Sequence, residues 1–160
     1  MDDVNAENLS EALLAHKLTL VAAESCTGGM ISAAMTDLPG SSKVFERGFV
    51  TYSNQSKQDL LGVPSDILIN KGAVSAQCAK AMVLGALDNS AANIAVSVTG
   101  IAGPGGGSEQ KPIGLVYIGV CLKGSEPVVH ECHFSGSRHD IRTSTCNKVF
   151  ALLIEAIRAI

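Results

Sequence analysis

Tryptophan is absent from the 160 residues, and two tyrosines and four phenylalanines are the only aromatics. The core must therefore be aliphatic. Charge is sparse as well: 17% of residues carry it, the net value is −3, and lysine and arginine never form a run. That excludes nucleic-acid binding driven by a basic face. Apolar runs stop far short of the roughly 18 residues that suggest a membrane span, which argues against a membrane partner. Met1–Asn8 is acidic and polar, unlike a signal peptide, so a cytoplasmic location is expected. The five cysteines (Cys26, Cys78, Cys121, Cys132, Cys146) are odd in number and contain no C-x-x-C pair. Reduced thiols, most of them acting as small core residues, are therefore expected.

What is present is apolar and glycine-punctuated, with 46% hydrophobic residues and 16 glycines. The length suits one domain over 1–160, able to bury about 70% of its unfolded surface. Helical spacing marks Val4–His16, and Lys17 closes that helix where a cation suits the dipole. Leu18–Ala23 is a short apolar run typical of a strand covered on both faces. Met30–Met35 is helical in composition, and Val44–Tyr52 favours a strand. Ser53 or Asn54 caps a short helix through Leu61 that Gly62 stops. Pro64–Ile69 is a further short helix, and Ser75 caps a longer one carrying Ala79, Met82, Val83, Ala86 and Leu87 on one face. Ala92–Val98 is another buried strand, Ile113–Leu122 and Val128–Phe134 pair as a hairpin, and Arg138–Ile160 is one long helix. The expected fold is a single three-layer α/β/α domain with a mixed, mainly parallel central sheet.

Ligands in such sheets sit beyond the carboxyl ends of strands, and the polar residues collect there. The Glu24–Gly29 turn joins a strand to a helix. Its Thr27, Gly28 and Gly29 amides could form an anion or oxyanion site; equally, Ser25 and Thr27 could merely cap the helix. The stretch from Gly100 to Ser108 holds five glycines in nine residues and fits no G-x-G-x-x-G or Walker pattern. A loop of that length after a buried strand favours a binding role. Ser42, Tyr52 and Lys57 could converge if the Gly40–Ser42 turn lies beside the end of the strand that follows it. A lysine base needs its pKa brought from about 10.4 to near 7–8; otherwise Lys57 is a solvated surface residue. His130-Glu131-Cys132-His133 looks like a metal cluster in one dimension, but a strand sends His130 and Cys132 to one face and His133 to the other, so no metal ligand set is assigned. Cys26, at a helix start, could have a lowered pKa but lacks a nearby histidine partner.

Several of these blocks together resemble one family. Ala23-Glu24-Ser25-Cys26-Thr27-Gly28-Gly29, Pro39-Gly40-Ser41-Ser42, Gly48-Phe49-Val50-Thr51-Tyr52-Ser53-Asn54 with Lys57, Gly72-Ala73-Val74-Ser75 and Thr99-Gly100-Ile101-Ala102-Gly103-Pro104-Gly105-Gly106 are similar to the CinA C-terminal-domain family. The resemblance runs from about Leu9 to the last helix. It implies hydrolysis of the carboxamide of nicotinamide mononucleotide, giving nicotinate mononucleotide and ammonia, by a serine/lysine mechanism with no cofactor. By position it implies Ser42 as nucleophile, Lys57 as base and Tyr52 assisting, with Ser25 the competing serine. Thr99 and the amides at Thr27, Gly28, Gly29 and Gly100–Gly106 (Gly100, Gly103, Gly105 and Gly106 among them) would orient the substrate. Arg138 falls where the family carries an arginine suited to phosphate, and Ser137 replaces the family's acidic residue before it. Larger members carry an additional N-terminal domain that these residues do not include. The alternative from another class is a nucleotide-binding module without catalysis. The partner implied is a small-molecule nucleotide, with a homo-oligomer left open.

Overall fold

A computed structural model describes residues 5–160 of the chain; Val4, the expected first residue of the opening helix, lies outside them. Ten residues, Ala6–Ala15, form α1, with the Asn5 side chain accepting from the Asn8 amide at its start. The chain then alternates through β1 (Leu20–Glu24), α2 (Met30–Thr36), a short 3-10 turn (Ser41–Lys43) and β2 (Phe45–Val50). There follow α3 (Asn54–Leu61), α4 (Ser65–Asn70), α5 (Ala76–Asp88) and β3 (Ile94–Gly100). The hairpin of β4 (Leu115–Leu122) and β5 (Val128–His133) and the 21-residue α6 (Arg138–Arg158) complete it.

The five strands form one sheet in the order β2-β1-β3-β4-β5. β1 pairs in parallel with both β2 and β3, and the β3–β4 and β4–β5 pairs are antiparallel. Only β4 therefore runs against the other four strands. Because side chains alternate across a strand, β1 divides its residues between two cores. Leu20 and Ala22 join α1, α2 and α6, whereas Val21 and Ala23 join α3, α4 and α5. This is the expected three-layer α/β/α arrangement with a mixed sheet. Among the described residues, no helix is long and apolar enough to cross a membrane.

The punctuation is largely where the residue chemistry puts it. Ser53 accepts from the Ser56 amide to start α3, and Gly62 ends it at a φ of 66° that a glycine adopts without strain. Ser75 caps α5, and Ser137 with Asp140 forms a reciprocal capping box at α6. Most boundaries shift by one or two residues from expectation, and two of the differences have a clear backbone cause. β3 continues to Gly100, where a Cβ would meet Val116 at 2.6 Å, so this glycine is required by the adjoining strand. Lys17 lies beyond α1 in left-handed backbone at φ 56° rather than in its last turn.

Candidate active site

The parallel register sets the ends of β2, β1 and β3 side by side, with Glu24 opposite Val50 on one flank and Val98 on the other. The residues that follow these three strands consequently share one edge of the sheet. Alternation then sorts the end of β1. Glu24 turns to the α2 side, and Ser25 turns to the α3 side, where Lys57 waits.

Lys57 is 1% exposed, which decides between its two readings: it is not a solvated surface lysine. Its Nζ lies 3.0 Å from Ser25 Oγ, 2.6 Å from the Thr51 carbonyl and 3.3 Å from the Tyr52 carbonyl. Among the described residues it forms no ion pair with a carboxylate. Burial therefore lowers its pKa from the ordinary lysine value, opposed by weak attraction to the Cys78 and Cys26 thiols. All three contacts have Nζ as donor, to the Ser25 hydroxyl oxygen and to the two carbonyls, so the amine is held by oxygen acceptors with no counter-ion among them.

Glu24 is fully buried and acts as the cap of α2 from the end of the preceding strand. Its Oε1 accepts from Thr27 Oγ1 at 2.7 Å, the Gly29 amide at 3.2 Å and the Ile31 amide at 2.9 Å. Its Oε2 accepts from the Ser32 amide at 3.0 Å and the Ser32 hydroxyl at 2.7 Å. The Gly28 amide donates to the Ser25 carbonyl at 3.0 Å. The expectation that the Gly28 and Gly29 amides await a ligand is therefore corrected, since both already have acceptors. The amides of Cys26 and Thr27 have no acceptor on another described residue.

Ser42 is also corrected. It lies in the exposed 3-10 turn before β2, whereas Tyr52 and Lys57 follow that strand. A six-residue strand holds its two ends about 20 Å apart at roughly 3.3 Å per residue. The turn and the lysine flank the same strand, so the strand itself keeps them apart.

A cleft of about 270 Å3 opens over the Ser25–Lys57 pair, and Cys26, Tyr52, Thr99, Gly100, Gly103, Gly105, Gly106 and Arg138 also line it. Thr27, Gly28, Gly29 and Ser42 are not part of its lining. Arg138, at the start of α6, donates through Nη1 to the Gly103 carbonyl at 2.7 Å and through Nη2 to Tyr52 Oη at 3.1 Å. It fastens the glycine loop to the tyrosine. Thr99 Oγ1 already donates to the Ala73 carbonyl at 2.7 Å, leaving only acceptor capacity for a ligand. Burial pushes the Cys26 thiol up to about 11, so it is not the thiolate its helix-start position suggested. Cys132 enters the core on the α6 side, while His133 sits beside Glu131 at the surface. Among the described residues, no three His, Cys, Asp or Glu side chains could hold a metal ion together.

The sequence reading missed two residues: Glu24 as the organiser of the turn and Arg142 entirely. Arg142 Nε donates to the Cys26 carbonyl at 3.0 Å and Nη2 to the Thr27 carbonyl at 3.1 Å. One signal was available, because Arg142 lies four residues after Arg138 and so on the same face of α6.

Known proteins share this arrangement at the level of fold and sequence. The family model described as the CinA C-terminal domain matches residues 2–157. A protein of Caldicellulosiruptor bescii with a competence-damage inducible name is 52% identical over 145 residues, covering 91% of this chain and 35% of its own length. A CinA-like protein of Endomicrobium trichonymphae is 50% identical over 152 residues, covering 95% of this chain and 35% of its own. The chain thus spans about a third of the length of these curated relatives. Among solved structures, the competence/damage inducible protein CihA of Agrobacterium tumefaciens superposes with a TM-score of 0.92 at 45% identity, covering 96% of this chain and 93% of that one. A CinA superfamily protein of Klebsiella pneumoniae gives a TM-score of 0.93 at 30% identity, with coverage of 97% and 96%.

Proposed function

The chain belongs to the CinA C-terminal domain family, and from that premise we propose that it is a serine amidohydrolase removing the carboxamide nitrogen of nicotinamide mononucleotide. The observation that carries the reading is the buried 3.0 Å contact between Lys57 Nζ and Ser25 Oγ at the floor of the cleft. In a module that only bound a nucleotide, a cleft lysine would be expected to face the phosphate, whereas here its Nζ is already taken up by Ser25 and two backbone carbonyls.

In the proposed reaction, neutral Lys57 takes the Ser25 proton as Oγ attacks the carboxamide carbon, forming a C–O bond and an oxyanion. Unpaired amides of the turn, that of Cys26 foremost, donate to this oxyanion. The intermediate collapses, the C–N bond breaks, and the proton held on Lys57 leaves with ammonia. Lys57 then deprotonates a water that attacks the acyl carbon. Oγ departs and recovers its proton through Lys57, and the product leaves as nicotinate mononucleotide. Ser25 replaces Ser42 as nucleophile in this scheme. Arg138 and the loop amides around Gly103–Gly106 are suited to the 5′-phosphate, an anion that a guanidinium grips in parallel. Incubating the pure protein with nicotinamide mononucleotide tests this directly: ammonia and nicotinate mononucleotide should form in equal amounts. Tight nucleotide binding without ammonia would leave the family's binding module as the correct description.

A further inference from the structure

We infer that Arg142 is a positioning residue for this chemistry, locking the central peptide of the turn that carries Ser25; the inference rests on the serine reading above. The Ser25 carbonyl accepts from the Gly28 amide, so Ser25–Gly28 is a β-turn with Cys26 and Thr27 as its central pair. In such a turn the middle peptide has no internal hydrogen bond, and its two ends are open to outside control. Here the Cys26 carbonyl of that peptide accepts from Arg142 Nε at 3.0 Å. In a planar trans peptide the carbonyl and the following N–H point in opposite directions. Fixing the Cys26 carbonyl toward α6 therefore fixes the Thr27 N–H away from it.

The guanidinium also holds the next peptide, through Nη2 to the Thr27 carbonyl at 3.1 Å, and that carbonyl accepts from the Met30 amide as well. Two consecutive peptides are thus clamped by one planar fork, a task that a lysine, with its single point charge, does not reproduce. Cys26 and Thr27 both have negative φ, since Lys17 is the only described non-glycine residue with a positive one. This is the type I sense of the turn. The alternative sense rotates the central peptide by about half a turn and requires positive φ at Thr27. A rotated peptide would turn the Cys26 carbonyl away from Arg142 and disturb the backbone directly after Ser25, including the Cys26 amide assigned to the oxyanion. Arg142 does not line the cleft. It acts through the turn rather than on substrate, and it is absent from the groups that perturb Lys57.

The experiment compares the parent with Arg142→Ala and Arg142→Lys in two assays. One follows ammonia release from nicotinamide mononucleotide. The other follows labelling of Ser25 by a fluorophosphonate, whose phosphoryl oxygen needs the same amide donors but none of the nucleotide contacts. Loss of a preorganised donor predicts kcat and labelling rate lower by about 10²-fold in Arg142→Ala. KM should stay within about threefold and the pH midpoint of the rate should not move. Arg142→Lys should lie between the two, and free guanidinium ion should restore part of the loss in Arg142→Ala. The last result separates positioning from a general loss of structure. Parental labelling rates in both variants would overturn the inference, as would a raised KM at unchanged kcat or a shifted pH midpoint. A parent that is neither labelled nor active would instead bring down the amidohydrolase reading, and this inference with it.

Discussion

A lysine that is 1% exposed and has no carboxylate beside it is easier to deprotonate than an ordinary one, which suits the base role proposed for Lys57. Lys57→Ala should lower kcat by roughly 10³-fold or more with the fold retained, read from ammonia release beside thermal melting. The rate should rise with pH through a midpoint below the ordinary lysine value, because only the neutral amine can accept the serine proton. Stability follows the same sign. The native state resists protonation at Lys57, so the unfolded chain binds more protons between the lowered value and the ordinary one, and stability increases with pH across that window. Ser25→Ala should abolish turnover, whereas Ser42→Ala, at the far end of β2, should keep kcat within about twofold of the parent. Lys57, Tyr52 and Ser25 were legible in the sequence as candidate residue types. Which serine faces the lysine was not, because burial and direction are properties of the packed chain.

At the scale of elements, one buried carboxylate ties the end of β1 to the start of α2. Glu24 accepts five hydrogen bonds, and the amides it takes are the ones a helix start leaves open. Glu24→Gln keeps the shape but sets an NH2 against N–H and O–H donors, leaving buried groups unpaired at a cost of about 2 kcal/mol. For a chain of this length that lowers Tm by about 4–8 °C, measurable by calorimetry. An unchanged Tm would mean that the carboxylate does not hold the turn. Helices and caps were readable because Ser53, Gly62 and Ser75 act within a few residues of their own position. The cap of α2 was not readable, since Glu24 serves as cap from within a strand, several residues ahead of the amides it accepts. The loop after β3 was foreseen, yet Gly100 proved to belong to the strand, where its missing side chain makes room for Val116.

The whole molecule shows why neighbours in sequence can be the wrong neighbours in space. Ser42 and Lys57 are 15 positions apart but flank one strand, which separates them. Ser25 and Lys57 are 32 positions apart but follow two parallel strands, whose ends meet. The layer order and the mixed sheet could be inferred from hydrophobic runs, while the strand order that brings β1 beside β2 comes only from packing. The same edge carries Arg138, which bridges the glycine loop and Tyr52 across the cleft. If it also grips phosphate, Arg138→Ala should raise KM more than it lowers kcat, and should narrow the preference for the nucleotide over its phosphate-free riboside. A mutant that keeps the parental preference would assign the phosphate elsewhere. The central claim is that Ser25 carries the acyl group, and the most direct test is to quench the reaction with nicotinamide mononucleotide and map the adduct by peptide mass spectrometry. The account predicts the acyl mass on the peptide containing Ser25 and its absence from Ser25→Ala. An adduct on Ser42, or ammonia released with no adduct at any serine, would contradict it.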